Sequence, residues 1–182
     1  MKIKKPLRIA VCGSASGKIS ALFEKKAFQV GEAIAENNCV LCTGATFGYS
    51  YKAVKGAVNK KGVVIGFSGA ESQRDHQKRF EKIDFNLFTH IIYSGLGYKM
   101  RDVLMFRNVD GAVYIGGGVG TLLEMSLAPD YQVVMGILKG SGGATEVIET
   151  IRKISHRFKP AVVIDDNPRA LVEKIIKIIK SR

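Results

Sequence analysis

Tyr114-Ile115-Gly116-Gly117-Gly118-Val119-Gly120-Thr121-Leu122-Leu123-Glu124 passes from an apolar strand through a glycine turn into an apolar helix. Consecutive glycines remove every Cβ from the turn and permit positive φ there. The first N–H groups of the following helix have no partner within the helix, and an anion is favoured in front of them. Thr121 adds a hydroxyl, and Glu124 lies about one helical turn on, where its carboxylate can face the same space. A packing turn needs one or two glycines, whereas this stretch spends four. It reads as a phosphate cradle formed by Gly117, Gly118, Val119, Gly120 and Thr121, with a carboxylate beside it.

The chain around this stretch alternates between short apolar runs and amphipathic ones. Strands are expected at 8–12, 39–42, 63–67, 89–93, 111–115, 132–138 and 161–164. Helices are expected at 18–37, 49–60, near 73–82, around Met100, Leu104 and Met105, and from the glycine turn to Pro129. Two more follow, one introduced by the glycines at 140–143 and one capped by Asn167 and running to about Lys180. Strands without polar alternation, separated by amphipathic helices, describe a parallel sheet covered on both faces. The expected architecture is therefore α/β, a doubly wound, Rossmann-like sheet of about seven strands in one domain spanning the 182 residues. Such sheets bind ligands beyond the carboxyl ends of their strands. The glycine turns at 13–17, 44–48, 95–97, 116–120 and 140–143 all fall at those ends, so Gly13, Ser14, Gly44 and Gly48 join the cradle on one rim.

Composition narrows the function. The formal charge is +12, but the basic residues are spread along predicted helix faces, with no long basic block and no basic strand interleaved with aromatics. That pattern reads as a solvated surface rather than a nucleic-acid footprint, and the ligand implied is a small phosphorylated molecule. Apolar runs of about five to eight residues are too short to span a membrane. The basic start, Met1-Lys2-Ile3-Lys4-Lys5-Pro6, has no apolar signal core after it, so a cytoplasmic location is expected. Cys12, Cys39 and Cys42 make an odd count. The single Cys-x-x-Cys lies in a predicted strand with no second pair, so core packing is expected and no metal. His76, His90 and His156 are scattered, and none is assigned to catalysis or to a metal.

Two other nucleotide motifs do not fit. Gly13-Ser14-Ala15-Ser16-Gly17-Lys18 has three residues between its glycines where a P-loop has four, and Ile19 follows the lysine in place of Ser or Thr. Two readings of this turn stay open: a small-residue packing turn, or a polar loop whose Ser14 and Ser16 touch a ligand. Neither it nor the stretch at 116–120 matches Gly-x-Gly-x-x-Gly after the first strand, and Thr43-Gly44 stands where an acid would close the second, so NAD and other cofactors are not expected. Arg101 begins the helix before the fifth strand, on the same rim, and can face Glu124 across the pocket. Lys99 and Arg107 read as solvated, and Met100, Met105 and Met125 as core.

Gly117-Gly118-Val119-Gly120-Thr121-Leu122-Leu123-Glu124 resembles the PGGxGTxxE signature of the Lonely Guy (LOG) family of cytokinin-activating phosphoribohydrolases. Arg101-Asp102-Val103-Leu104-Met105 resembles that family's RKxxM segment, Val11-Cys12-Gly13-Ser14 its CGSS turn, and the stretch at 43–48 stands where it has GGGxxGLMG. The resemblance covers about 8–128. It implies phosphate binding by Gly117, Gly118, Gly120 and Thr121, and catalysis by Arg101 and Glu124 of N-glycosidic hydrolysis, releasing a base and ribose 5-phosphate. The chain departs from the pattern at Gly116 for the proline, Asp102 for the lysine, Thr43 and Ala45 for two glycines, and Tyr49-Ser50-Tyr51 for LMG. Beyond Glu124 it looks more like a sister branch that includes molybdenum-cofactor carrier proteins, which implies as the alternative a carrier or sensor of a nucleotide or pterin phosphate. The family's usual dimerisation, with the broad apolar surface of Leu171, Val172, Ile175, Ile176, Ile178 and Ile179, implies a homo-oligomer.

Overall fold

The computed structural model describes residues 5–15, 19–154 and 161–182. Ser16, Gly17, Lys18, His156 and the basic residues 1–4 lie outside the described residues. The strands are β1 (Arg8–Gly13), β2 (Val40–Thr43), β3 (Val64–Ser68), β4 (His90–Tyr93), β5 (Gly111–Ile115), β6 (Val134–Leu138) and β7 (Val162–Asp165). They form one parallel sheet in the order β4-β3-β2-β1-β5-β6-β7. The helices are α1 (Ala21–Glu36), α2 (Tyr49–Asn59), α3 (Gln73–Arg79), α4 (Gly97–Phe106), α5 (Val119–Asp130), α6 (Ile148–Ile154) and α7 (Pro168–Lys180).

Side-chain alternation along the strands splits the core in two. Ile9, Val11, Val113 and Ile115 face a layer built from α1, α2 and α7, through Val30, Ile34, Val54, Leu171 and Ile175. Ala10, Cys12, Ala112 and Tyr114 face the opposite layer, with Met105 and Phe106 of α4 and Met125 and Ala128 of α5. Both faces of each central strand are apolar, so the strands read as continuous hydrophobic runs. The two layers meet differently above β1 and β5. After β1 the chain leaves to α1 on one face, and after β5 to α5 on the other. The divergence opens a crevice beyond the carboxyl ends of these two adjacent strands, the switch point where doubly wound sheets hold ligands.

Several expectations shift. Cys39 precedes β2 instead of lying in it, and all three cysteines are buried free thiols. Pro129 is the penultimate residue of α5, so the helix continues past it to Asp130. The glycines at 140–143 lead first into a 3₁₀ turn, Gly143–Val147, and only then into α6. Asn167 caps α7 as expected, its side chain accepting from the Arg169 and Ala170 N–H groups at 3.0 and 3.1 Å. The apolar breadth of α7 is used up internally: Leu171, Val172, Ile175 and Ile176 are buried, and Ile178 and Ile179 pack against the same core. Among the described residues, no helix is long and apolar enough to cross a membrane.

Candidate functional site

The turn after β5 is built by its neighbours. Gly116 and Gly117 adopt φ of 60° and 102°, which only glycine accepts without strain. Their N–H groups are occupied: Gly116 donates to Ser141 Oγ at 2.8 Å, and Gly117 to Ser14 Oγ at 2.9 Å. Ser141 is itself fixed by donating to the Leu138 carbonyl at 2.7 Å, and Ala144 N–H reaches the Gly117 carbonyl at 2.9 Å. A side chain at Gly117 would collide with Thr121. The first two glycines of the run therefore shape the turn.

The next positions behave differently. The first backbone bond of α5 runs from Leu122 N–H to the Gly118 carbonyl at 3.0 Å, which leaves the amides of Val119, Gly120 and Thr121 outside the helical ladder. A Cβ placed on Gly118 or Gly120 would meet nothing within 4 Å. These amides and the positive end of a helix of 12 residues face a cavity of about 680 Å³, large enough for a nucleotide-sized ligand. The predicted residues Gly13, Ser14, Gly117, Gly118, Val119, Gly120 and Thr121 line it, as do Arg101 and Glu124. Val119 itself is exposed, and its amide rather than its side chain is the useful group.

Gly44 and Gly48 stand behind the wall. A side chain at Gly44 would strike the Arg101 guanidinium, so this glycine seats the arginine instead of touching the cavity. Gly48, at φ 89°, lies against the Ser14 backbone, and the neighbouring Tyr49 N–H donates to the Ser14 carbonyl at 3.1 Å. Its contribution is to hold the β1 turn.

The cavity floor is charged and closed off from water. Arg101 is 7%, Asp102 5% and Glu124 9% exposed. Arg101 does not begin α4. It lies one turn inside a helix that starts at Gly97, and Arg101, Asp102, Met105 and Phe106 form the buried face. Met100 is exposed rather than core, because it shares the outward side with half-buried Leu104, four residues on. Arg101 Nε lies 3.2 Å from Asp102 Oδ1, an ion pair without hydrogen-bond alignment. Among the described residues, Arg101 Nε and Nη1 and Asp102 Oδ1 have no hydrogen-bond partner. Burial raises the Asp102 carboxyl to about 6, with Arg101 pulling the other way. Burial, then the Asp102 charge, raises Glu124 to about 8, against opposing effects of Arg101 and a hydrogen bond with Cys12. Cys12 is pushed up by burial and then by Glu124, and so remains a thiol.

Two features of this site were not singled out from sequence. Asp102 stood out only as a departure from a motif, and Ser141 only as part of a glycine turn. Lys99 is exposed as expected, yet it also lines the cavity mouth with Tyr98. Of the histidines, His90 is exposed. His76 is buried, its Nδ1 2.7 Å from Ser68 Oγ and its ring packed on Phe80 and Phe85. Neither reaches the cavity.

The fold has counterparts among known proteins. An uncharacterised protein of Archaeoglobus fulgidus is 30% identical over 124 residues, covering 68% of this chain and 74% of that one. The molybdenum cofactor binding protein from the phototrophic bacterium Rippkaea orientalis superposes with a TM-score of 0.77 at 25% identity, covering 96% of this chain and 98% of that one. The molybdenum cofactor carrier protein from Chlamydomonas reinhardtii gives a TM-score of 0.77 at 21% identity, over 98% of this chain and 100% of that one. Residues 6–172, which include every element of the cradle and the charged floor, match the SLOG cluster4 family. The chain belongs to the SLOG cluster4 family.

Proposed function

We propose that this protein binds a phosphorylated heterocycle, of the nucleotide or pterin-phosphate class, and carries or senses it without turnover. The observation that carries this reading is the second buried acid, Asp102, in the floor that holds Glu124. Cleavage of an N-glycosidic bond builds positive charge on the ribose, which an ionised carboxylate stabilises. With Asp102 nearby and little solvent, Glu124 keeps its proton at neutral pH and acts as a hydrogen-bond donor instead. The Rippkaea protein, described by its name as binding a molybdenum cofactor, supports the same direction. Incubating the purified protein with AMP, GMP, CMP and UMP should give a rise in melting temperature with at least one of them and no free base. Release of free base, abolished by Glu124→Gln, would overturn the carrier reading.

Hydrolysis of a nucleoside 5′-monophosphate is the second reading, favoured by Arg101 and Glu124 lining the same cavity as the cradle. It needs a bound ligand that draws the proton off Glu124. We also propose a homo-oligomer in the cytoplasm. Support for assembly comes from α5, where Leu122, Leu123 and Leu127 are only half-buried and Val119 is 83% exposed. Light scattering reading a monomer would remove that proposal.

A further inference from the structure

The charged floor does more than close the cavity. Arg101 and Asp102 are each more than nine-tenths buried and line the cavity, and among the described residues Nε, Nη1 and Oδ1, themselves closed to solvent, have no hydrogen-bond partner. Buried polar atoms are normally paired, so this set in the wall of a ligand cavity is left to be answered by a ligand that turns the two side chains towards it. The set has a definite polarity: a carboxylate that accepts twice, beside a guanidinium that only donates.

We propose that Asp102 and Arg101 read the lactam–amine edge of the ligand's heterocycle, so that the site selects a 2-amino-4-oxo ring of the guanine or pterin type over adenine, hypoxanthine or cytosine. This rests on the phosphorylated-heterocycle reading above and narrows its ligand class. The edge in question carries an exocyclic amine and a ring N–H side by side, followed by a carbonyl. The two donors match the two oxygens of one carboxylate, and the carbonyl matches a guanidinium N–H. Adenine would set a ring-nitrogen lone pair against the carboxylate, and hypoxanthine would leave one of its oxygens unpaired. Cytosine has a ring-nitrogen lone pair between its amine and its carbonyl, so that lone pair would oppose the carboxylate. At pH 7 Asp102, at about 6, is mostly ionised and able to accept on both oxygens, while Glu124 retains a proton that a carbonyl can accept. The phosphate cradle contributes equally to all of these ligands and does not discriminate among them.

Titration calorimetry with GMP, IMP and AMP at pH 7 separates the contributions, since GMP and IMP differ only by the exocyclic amine. For the wild-type protein we expect GMP to bind at least ~10-fold more tightly than either IMP or AMP, because a site built around a donor leaves buried groups unpaired when that donor is missing. Asp102→Asn keeps the size and replaces one acceptor by a donor, so the GMP-to-IMP preference should fall to within ~3-fold. Neopterin monophosphate, which presents the same edge on a different ring, should follow GMP in both proteins. Equal wild-type affinities for GMP, IMP and AMP would overturn this inference while leaving phosphorylated-heterocycle binding intact. Binding of none of the four would overturn both. A preference for GMP that persists unchanged in Asp102→Asn would remove Asp102 from the recognition. The wild-type series stands by itself if the variant does not fold.

Discussion

Glu124→Gln should stabilise the unliganded protein, and do so only at neutral to alkaline pH. Glu124 is held at about 8 against an ordinary 4.5, chiefly by burial and then by Asp102. In the unfolded chain the carboxyl ionises above ~4.5, while in the folded protein it keeps its proton until about 8. The folded state therefore binds more protons across that window, and stability falls as pH rises through it. At ~1.36 kcal/mol per pH unit, the loss at pH 8 is ~4 kcal/mol if Glu124 bears it alone, and ~1 kcal/mol at pH 5. Because Asp102 and Arg101 share the same buried floor, about half of that, ~2 kcal/mol at pH 8, is the expected gain from an uncharged glutamine of the same shape. For a chain of this size that corresponds to a rise of roughly 4–8 °C in melting temperature, measurable by calorimetry or thermal-shift fluorescence. At pH 5 the two proteins should melt within about 2 °C of each other. An equal gain at both pH values would mean that packing, and not the buried charge, controls the effect. A loss of stability at pH 8 would refute the electrostatic argument outright.

The glycines separate into those that fit the protein and those that fit the ligand. Gly120→Ala adds a Cβ with nothing within 4 Å, and alanine is the better helix former, so the unliganded protein should gain ~0.5–1 kcal/mol while affinity for GMP falls at least ~10-fold. Gly44→Ala meets the end of a flexible side chain, so it should cost less than ~2 kcal/mol in a urea melt yet weaken ligand binding by displacing Arg101. Gly48→Ala, by contrast, meets the Ser14 backbone at a φ of 89°, and should lower stability by more than ~2 kcal/mol in the same melt.

The parts of this molecule legible in its sequence are those specified locally. Apolar runs and glycine breaks located all seven strands within one or two residues, because a buried parallel strand needs no partner to be recognised. The glycine turn and helix start proposed as a phosphate cradle are legible for the same reason: turn, helix start, hydroxyl and carboxylate are contiguous between Tyr114 and Glu124. What was hidden depends on the order of strands. Ser141 supports Gly116 across 25 residues because β6 lies beside β5 and brings the next loop against the first. Gly44 could be assigned to the rim but not to Arg101, since that contact joins the loop after β2 to a helix reached only after two more strands. Met100, expected in the core, is exposed because α4 turns Arg101, Asp102, Met105 and Phe106 inward, a choice of side that the apolar residue alone does not fix.

Asp102 changes the meaning of the site more than any other departure. In the motif that the surrounding residues resemble, the position holds a lysine, so the exchange inverts the charge at a point 95% buried. A buried charge of the wrong sign is expensive unless something answers it. Among the described residues only Arg101 does, without hydrogen-bond alignment, and Glu124 adds a second acid. The cradle, meanwhile, keeps its glycines, its threonine and its open helix start. The glycine turn proposed to hold the phosphate is thus kept, apart from Gly116, while the opposite wall of the cavity gains an acid. On the ligand proposed above, a change at that wall alters the part of the ligand bound there, and the part suited to an acidic wall is the nitrogen-rich ring. On that proposal the two acids are answered by the N–H groups of the bound ring.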